Sequence, residues 1–593
     1  MLTELVHYAR LKALDVEASF RPKDIKWLLL FKPDGTFIDV APLGTEKRGL
    51  TVAKCPHLQF SGDTPMRQFL VDTAEYLALL GANAADAKLH RKHAYVIDLL
   101  VQAGAVVPEL AMVAKSMGRT ETMTAIGAAL MRVKAKPADN LTLGIVQGGV
   151  TRNLVEERVW HDWWRSHWPT LFAKRQVSAE AGRSRCLVSG EPCEPVLTHP
   201  KVRGLGDVGG KVETALVSFN LPAFCSYGLD QSANAAVGAD AANAYVGALN
   251  ELIETTGQRL GGVKVVHWYA GHDDRPVAIN AEQDPLCQVE SIEGLFEPMP
   301  ATASALRKRA KRVPDADAGR RATEAEAQRR ARDFLRSVKS GERPDLAAYR
   351  YFALTLSGSS ARVMLRGFVT GRFGDLCAAV DAWFSDLEIV YRNGDGLAPV
   401  PKFGAILAAM VRDLKDIAAP VAAKLWRCAI QKDEPIPESF AAQALSRAVI
   451  NFVNGDAVPH ARIGLLRAYL ARKGDQSVTP FLNEDHPDPA YHCGRLLAVL
   501  DDIQYAAVGD VGAGIVQRYY AAASATPALV LGRLVRLANT GHLPKVDYDR
   551  RQRLEQRLAA VWGRLQQDPP STLSLAQQTL FAMGYYQQKA SRA

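Results

Sequence analysis

No stretch of this 593-residue chain approaches the roughly 20 consecutive apolar positions that a membrane-crossing helix needs, so no membrane partner is expected. The motifs that announce common catalytic machinery are missing as well: there is no Gly-x-Ser-x-Gly elbow, no Walker phosphate loop and no His-Glu-x-x-His pair. Without a motif that supplies nucleophile, base and charge stabiliser together, the expectation is a protein with no catalytic residue and no cofactor. Cysteine is sparse and scattered, at Cys55, Cys186, Cys193, Cys225, Cys287, Cys377, Cys428 and Cys493, in a chain too large to need a disulfide framework. The opening MLTELVHYARLKALDVE reads as an amphipathic helix and lacks a basic leader, a long apolar core and a small-residue cleavage site, so a reduced cytoplasm is the expected compartment. Acidic residues are the scarcer charge, 63 against 72 Lys and Arg. The resulting +9 favours an anionic partner, though it is modest over this length.

Three short patterns touch on chemistry. Gly204-x-Gly206-x-x-Gly209 has the spacing of a dinucleotide fingerprint, but THPKVR precedes it where a strand should stand, and strand-like ALVSFN follows where a helix should begin. Cys186, Cys193 and His199 lack the close Cys pairs and the fourth ligand of a zinc site, so no metal is expected there. His272-Asp273-Asp274 resembles the adjacent His and Asp of metal-dependent phosphohydrolases, which need further His and Asp that the chain does not visibly supply. A metal-dependent nucleic-acid hydrolase built on these three residues is the enzymatic alternative.

The segment Pro195–Tyr245 carries more glycine, asparagine, serine and glutamine between short apolar runs than any other fifty residues. It reads as functional loop held on a scaffold. Base edges are read by side chains that donate and accept hydrogen bonds, with amides suited to adenine and Lys or Arg to guanine or phosphate. Lys201, Arg203, Lys211, Asn220, Tyr227, Gln231 and Asn234 are the candidates here. For Asn220 and Asn234 the competing reading is that their amides satisfy nearby loop backbone.

Length predicts several domains, and the expected class is α+β: a mixed N-terminal domain followed by an all-α bundle. Residues 1–300 form the α+β domain, with a hairpin around Pro33-Asp34-Gly35. Trp160, Trp164 and Trp168 share a helical face that reads as core or subunit interface. Residues 301–345 form a basic connector; from 306 to 343 there are 13 Lys and Arg against 6 Asp and Glu, densest at Arg307, Lys308, Arg309, Lys311 and Arg312. A second hairpin falls in 346–400, and 401–593 is a helical bundle. There Thr526-Pro527 and Ser574 with Gln577 have N-cap patterns, and Arg518, Arg533, Arg536, Arg550 and Arg551 lie off the apolar stripes as candidates for sequence-blind contacts to nucleic-acid backbone.

The blocks HPKVRGLG, LVSFN, AFCSYG and VKVVHW, with WLLLFKPDGTF, FLVDTAEYLALLG, YFALTLSGSSARVMLRGF, RYYAAASATPALVLGRLVRLA and LFAMGYYQQKA, together resemble the large subunit of the type I-C CRISPR surveillance complex, Cascade, and follow that family's order from end to end. The chain departs from the family pattern at GDVGGKVETA and at Cys225, where an acidic residue is common. The resemblance implies a non-catalytic subunit. It would recognise a short flanking motif (PAM) in duplex DNA, aid strand opening, hold the displaced strand and recruit a separate helicase-nuclease. Implied partners are crRNA, double-stranded target DNA, the displaced single strand, and the backbone, 5′-handle-binding and small subunits. The C-terminal part resembles the helical small subunit, which type I-C systems make from an internal start; no methionine stands between Met410 and Met583. A purely structural scaffold is a further alternative.

Overall fold

The computed structural model describes residues 1–14, 19–44, 49–58, 66–81, 86–168, 170–173, 184–196, 198–219, 221–227, 229, 231–290, 314–394, 396–565 and 568–591. They form an α+β protein of two compact units, Met1–Val202 with Ala215–Glu251, and Arg203–Thr214 with Leu252–Ala593.

The first unit is built on strands β1 (Phe20–Ile25), β2 (Trp27–Phe31), β3 (Phe37–Pro42), β4 (Leu50–Pro56), β5 (Asp72–Thr73), β6 (Asn140–Gln147) and β7 (Val150–Asn153). One sheet has the order β3-β2-β6-β5 with β7 beside β6, and β1 pairs with β4 separately. β2 and β3 are joined by the expected hairpin, whose turn is fixed by Asp34 Oδ1 accepting the Thr36 N–H at 2.9 Å. β2 and β6 run parallel and read as near-continuous apolar segments, as strands covered on both faces do. Their side chains share a core with Leu99, Val113 and Ile126 from the helices Ala87–Ala103, Pro108–Met117 and Thr120–Arg132. Trp160 and Trp164 are wholly buried in that core, Phe69 stacks on Trp164, and the two indole N–H groups donate to the carbonyls of Leu154 and Ser19. The tryptophan stripe is therefore packing, with each polar tip satisfied.

The second unit adds β8 (Val202–Arg203), β9 (Gly210–Ala215), β10 (Gln258–Leu260), β11 (Val263–Ala270), β12 (Pro276–Val277) and β13 (Arg350–Arg372), in the order β10-β11-β13-β9-β8 with β12 on β11. The long extended span of β13 turns back on itself near Ser360, whose φ is +53°. Its arms meet where Phe352 stacks on Phe368 and Arg366 Nε donates to Ser357 Oγ. Helices from Phe403 to Ala590 share one core with this sheet. The helices Pro489–Val508 and Leu575–Ala590 cross at a glycine pair: a Cβ on Gly494 would lie 2.0 Å from the Phe581 carbonyl oxygen, and one on Gly584 would lie 2.1 Å from that of Tyr491.

Ser574 and Gln577 form the expected reciprocal cap, Ser574 Oγ accepting the Gln577 N–H and Gln577 Oε1 accepting the Ser574 N–H. Thr526 differs. It stands at the N-cap of Pro527–Leu537 but also ends Ile515–Ala525, and its hydroxyl donates back to the Ala522 carbonyl at 3.1 Å instead of capping the following helix. No helix among the described residues is long and apolar enough to cross a membrane.

Candidate nucleic-acid interface

In the first unit the loop of interest is anchored by backbone bonds: the Leu187 N–H donates to the Ala236 carbonyl, and the Val196 N–H donates to that of Val237. From this base the chain runs through a tight turn at Ser226–Leu229, where the Leu229 N–H donates to the Ser226 carbonyl at 2.9 Å. Tyr227 sits in this turn with φ +52° and is 100% exposed. L-residues seldom occupy that region, and a bulky side chain held there is a mark of function when its surroundings impose it.

What imposes it is Asn234. Its Oδ1 accepts the Ser226 N–H at 3.0 Å, while its Nδ2 donates to the Leu229 carbonyl at 2.7 Å and the Gln231 carbonyl at 3.0 Å. Both amide hydrogens are spent on the loop, so Asn234 acts in the local-turn role and positions its neighbours. Gln231 is exposed with φ +49°, and its Oε1 lies 3.5 Å from the Thr198 hydroxyl. Lys201 is half-buried, its carbonyl accepting from Asn250 Nδ2 at 3.3 Å. Two residues before it, His199 is buried and shares a 2.7 Å hydrogen bond with the Tyr245 hydroxyl. Burial lowers the pKa of His199 to about 4, so it is neutral at pH 7.

Arg203 and Lys211 belong to the second unit. Both are exposed, Arg203 on β8 and within 3.8 Å of Glu213 on β9, Lys211 at the start of β9. Asn220, Arg307, Lys308, Arg309, Lys311 and Arg312 lie outside the described residues. Among the helical arginines, Arg518, Arg533, Arg536 and Arg550 are exposed, whereas Arg551 is half-buried and donates to Glu555 at 2.7 Å. Tyr548 and Trp562, 71% and 41% exposed on the helix Tyr548–Gly563, were not singled out from sequence. They put aromatic surface on the same helix as Arg550, a combination that suits unpaired bases.

The residues of the three chemical patterns are placed as follows. Gly206–Val208 is a single 3-10 turn running into β9, with no helix N-terminus beyond it. His272, Asp273 and Asp274 are exposed in the turn after β11, where Asp273 pairs with Arg275 at 3.4 Å, Asp274 with Arg350 at 3.2 Å, and His272 meets the Tyr349 ring edge-on. Cys186 has a pKa lowered to about 7: burial raises it, and hydrogen bonds from the Ser189 hydroxyl and the N–H groups of Gly238, Ser189 and Val188 outweigh that. The described residues that do bring metal-ligating atoms together are His267, Asp284 and Cys287, within 4.8 Å of one another. Asp284 is already engaged there, accepting from Tyr269 and from the N–H groups of Leu286 and Cys287, with His267 Nε2 at 2.9 Å. Asp284 is thus a hydrogen-bonded buried carboxylate just before the helix Pro285–Glu290, while His267 Nδ1 is buried with no hydrogen-bond partner among the described residues.

The chain is thus an α+β protein of two units, one bearing a pinned polar loop and the other an arginine-bearing helical part. It belongs to the CRISPR-associated protein family Cas_Csd1, the large-subunit family of type I-C systems, whose family model matches residues 6–593. No curated protein matches the chain.

Proposed function

We propose that this chain is a non-catalytic reader and clamp in a guide-RNA surveillance complex, recognising the PAM in duplex DNA through the loops between Lys201 and Asn234. The observation that carries the reading is the pinned turn: Tyr227 and Gln231 are exposed in left-handed backbone on either side of a network centred on Asn234. A preorganised aromatic and an exposed amide are what reading a base step requires, whereas a mobile loop would spend binding energy on being ordered. Guide pairing then reads the remaining sequence, the division of labour used by RNA-guided effectors. Arg518, Arg533, Arg536 and Arg550 would hold the displaced strand through its phosphates, with Tyr548 and Trp562 beneath its bases. The same reading makes crRNA and the other complex subunits its partners and leaves cleavage to a recruited helicase-nuclease.

The test is binding of a guide-loaded complex, with and without this chain, to matched duplexes that carry a randomised flank. Enrichment of a flank only in the presence of the chain supports the reading. The same enrichment without the chain overturns it in favour of a scaffold.

A further inference from the structure

The first unit carries a pair of cysteines at the foot of the pinned loop. Cys186 and Cys193 stand on the two arms of a hairpin closed by backbone bonds of 2.8 Å. The Cys186 N–H donates to the Glu191 carbonyl, the Gly190 N–H to that of Cys186, and the Cys193 N–H to that of Ser184. Arg185 faces Pro192 across the arms in antiparallel register. That register sets Cys186 opposite Glu191 and Cys193 opposite Ser184, so the two cysteines share one face as diagonal neighbours. Their sulfurs meet there, the Cys193 thiol donating to Cys186.

The two sulfurs differ in surroundings. Cys186 is buried, which opposes ionisation, yet the Ser189 hydroxyl and the N–H groups of Gly238, Ser189 and Val188 all donate to its sulfur and favour the thiolate. Cys193 is half-buried, and burial, the charge of Cys186 and the hydrogen bond to it raise its pKa and keep it a thiol. The buried sulfur is thus the anion and the other is the one solvent reaches. The same hairpin anchors the loop: the N–H groups of Leu187 and Val196 donate to the carbonyls of Ala236 and Val237, and a Cβ on Gly238 would lie 3.1 Å from Cys193 Cβ.

We propose that Cys186 and Cys193 form a reversible disulfide, a redox clasp at the foot of this loop, with hydrogen peroxide as the oxidant. The Cys193 sulfur attacks one peroxide oxygen while its proton passes to Cys186; the S–O bond forms, the O–O bond breaks and hydroxide leaves. Cys186 then attacks the sulfenic sulfur of Cys193; the S–S bond forms, the S–O bond breaks, and water leaves with the Cys186 proton. The two sulfurs together lose two electrons and the peroxide gains them. Only Cys193 has to meet the oxidant, because Cys186 reacts within the hairpin. A diagonal pair stands near the long end of disulfide reach, so the bond draws the arms together and takes the thiolate from the Gly238 N–H. Such a bridge is readily reduced, as a transient switch in a reducing compartment has to be.

The experiment is peroxide treatment of the folded full chain, without guide or duplex, then alkylation and tryptic mass spectrometry, so its outcome is separable from that of motif reading. Both sulfurs lie in the tryptic peptide 186–201. That peptide is expected to become lighter by two hydrogen atoms and to regain them with dithiothreitol, while buried Cys55, Cys377, Cys428 and Cys493 resist alkylation as in a folded chain. Oxidation should run about tenfold faster at pH 8 than at pH 6, since Cys186 ionises near pH 7. Cys193→Ser is expected to abolish the lighter peptide and to slow oxidation of Cys186 by about tenfold or more. Cys186→Ser is expected to leave Cys193 as a sulfenic acid that dimedone traps. Hydrogen exchange at the Gly238 amide should rise on oxidation of wild type and return on reduction. No lighter peptide, a lighter peptide only in denaturant, Cys193 joined to Cys225 instead, or unchanged exchange at Gly238 overturns the proposal.

Discussion

Asn234 accepts the backbone N–H of Ser226 at 3.0 Å and thereby closes the turn that holds Tyr227 fully exposed. Asn234→Ala removes this bond and both Nδ2 bonds, leaving the Leu229 and Gln231 carbonyls without their amide donor. The expected loss is about 1–3 kcal/mol, expressed as local opening. Hydrogen exchange reads it directly: the Ser226 amide should lose protection while amides of β6 keep theirs. Unchanged exchange at Ser226 would remove Asn234 from its positioning role.

Tyr227 itself contributes no burial, and its φ of +52° is one that Asn tolerates better than Tyr. Tyr227→Asn is therefore expected to leave thermal stability unchanged or raise it by up to about 1 kcal/mol. In the proposed function the same change weakens discrimination among flanks. A clear fall in melting temperature would mean that the ring has a packing role the exposed position does not suggest.

How much of this was legible beforehand varies with the kind of signal. The hairpin at Pro33-Asp34-Gly35, the buried Trp160 and Trp164 and the Ser574 cap all rest on local pattern, and each appears as read. Thr526 shows the limit of such patterns, because a residue shared by two abutting helices has one hydroxyl to give and gives it to the first. The assignment of 203–214 to the unit that also holds 252–593 leaves no mark in periodicity, since it depends on strand pairing at long range. At the loop, the polar residues were visible, but which were exposed and which were spent on backbone was not. Asn234 and Gln231 are three residues apart with the same amide chemistry, and only the fold separates their roles.

The crossing at Gly494 and Gly584 sets a stability prediction for the helical part. A methyl group at either position would collide with backbone of the partner helix, which cannot swing aside as a side chain can. Gly494→Ala and Gly584→Ala are each expected to destabilise by about 1–3 kcal/mol or more, measured as a shift of the denaturation midpoint. Gly532→Ala, with open space around its Cβ position, is the control and should be neutral or mildly stabilising.

Acid should weaken the first unit through two imidazoles. Burial, aided by the charges of Lys23 and Arg21, lowers His57 to about 3, and burial lowers His199 to about 4. Both therefore stay neutral in the folded state at pH values where the unfolded chain, with imidazoles near 6.5, has taken up protons. Their contribution is complete above pH 6.5 and falls as pH drops toward 4, by up to about 1.4 kcal/mol per pH unit for each. Denaturation of wild type, His57→Gln and His199→Gln at pH 7.5 and pH 5 checks this against the expectation that each substitution flattens the dependence. An undiminished slope in both variants would contradict the assignment.

For the helical arginines the expected signature is weaker binding without change of preference. Replacing Arg518, Arg533, Arg536 and Arg550 by Gln should weaken complex binding to every flank alike. It should also shrink the salt slope by about 0.7 for each single-strand phosphate that is no longer neutralised. Filter binding across a salt series measures both. A change of flank preference in this variant would dissolve the separation between reading and clamping.

The most direct test of the central claim is flank selection by the guide-loaded complex carrying wild-type chain, Gln231→Ala or Tyr227→Ala, at two salt concentrations. The account predicts an enriched flank with wild type that shifts or flattens in both variants at either salt, while pairing with the guide is untouched. Identical enrichment in all three would contradict it and place flank recognition elsewhere in the complex.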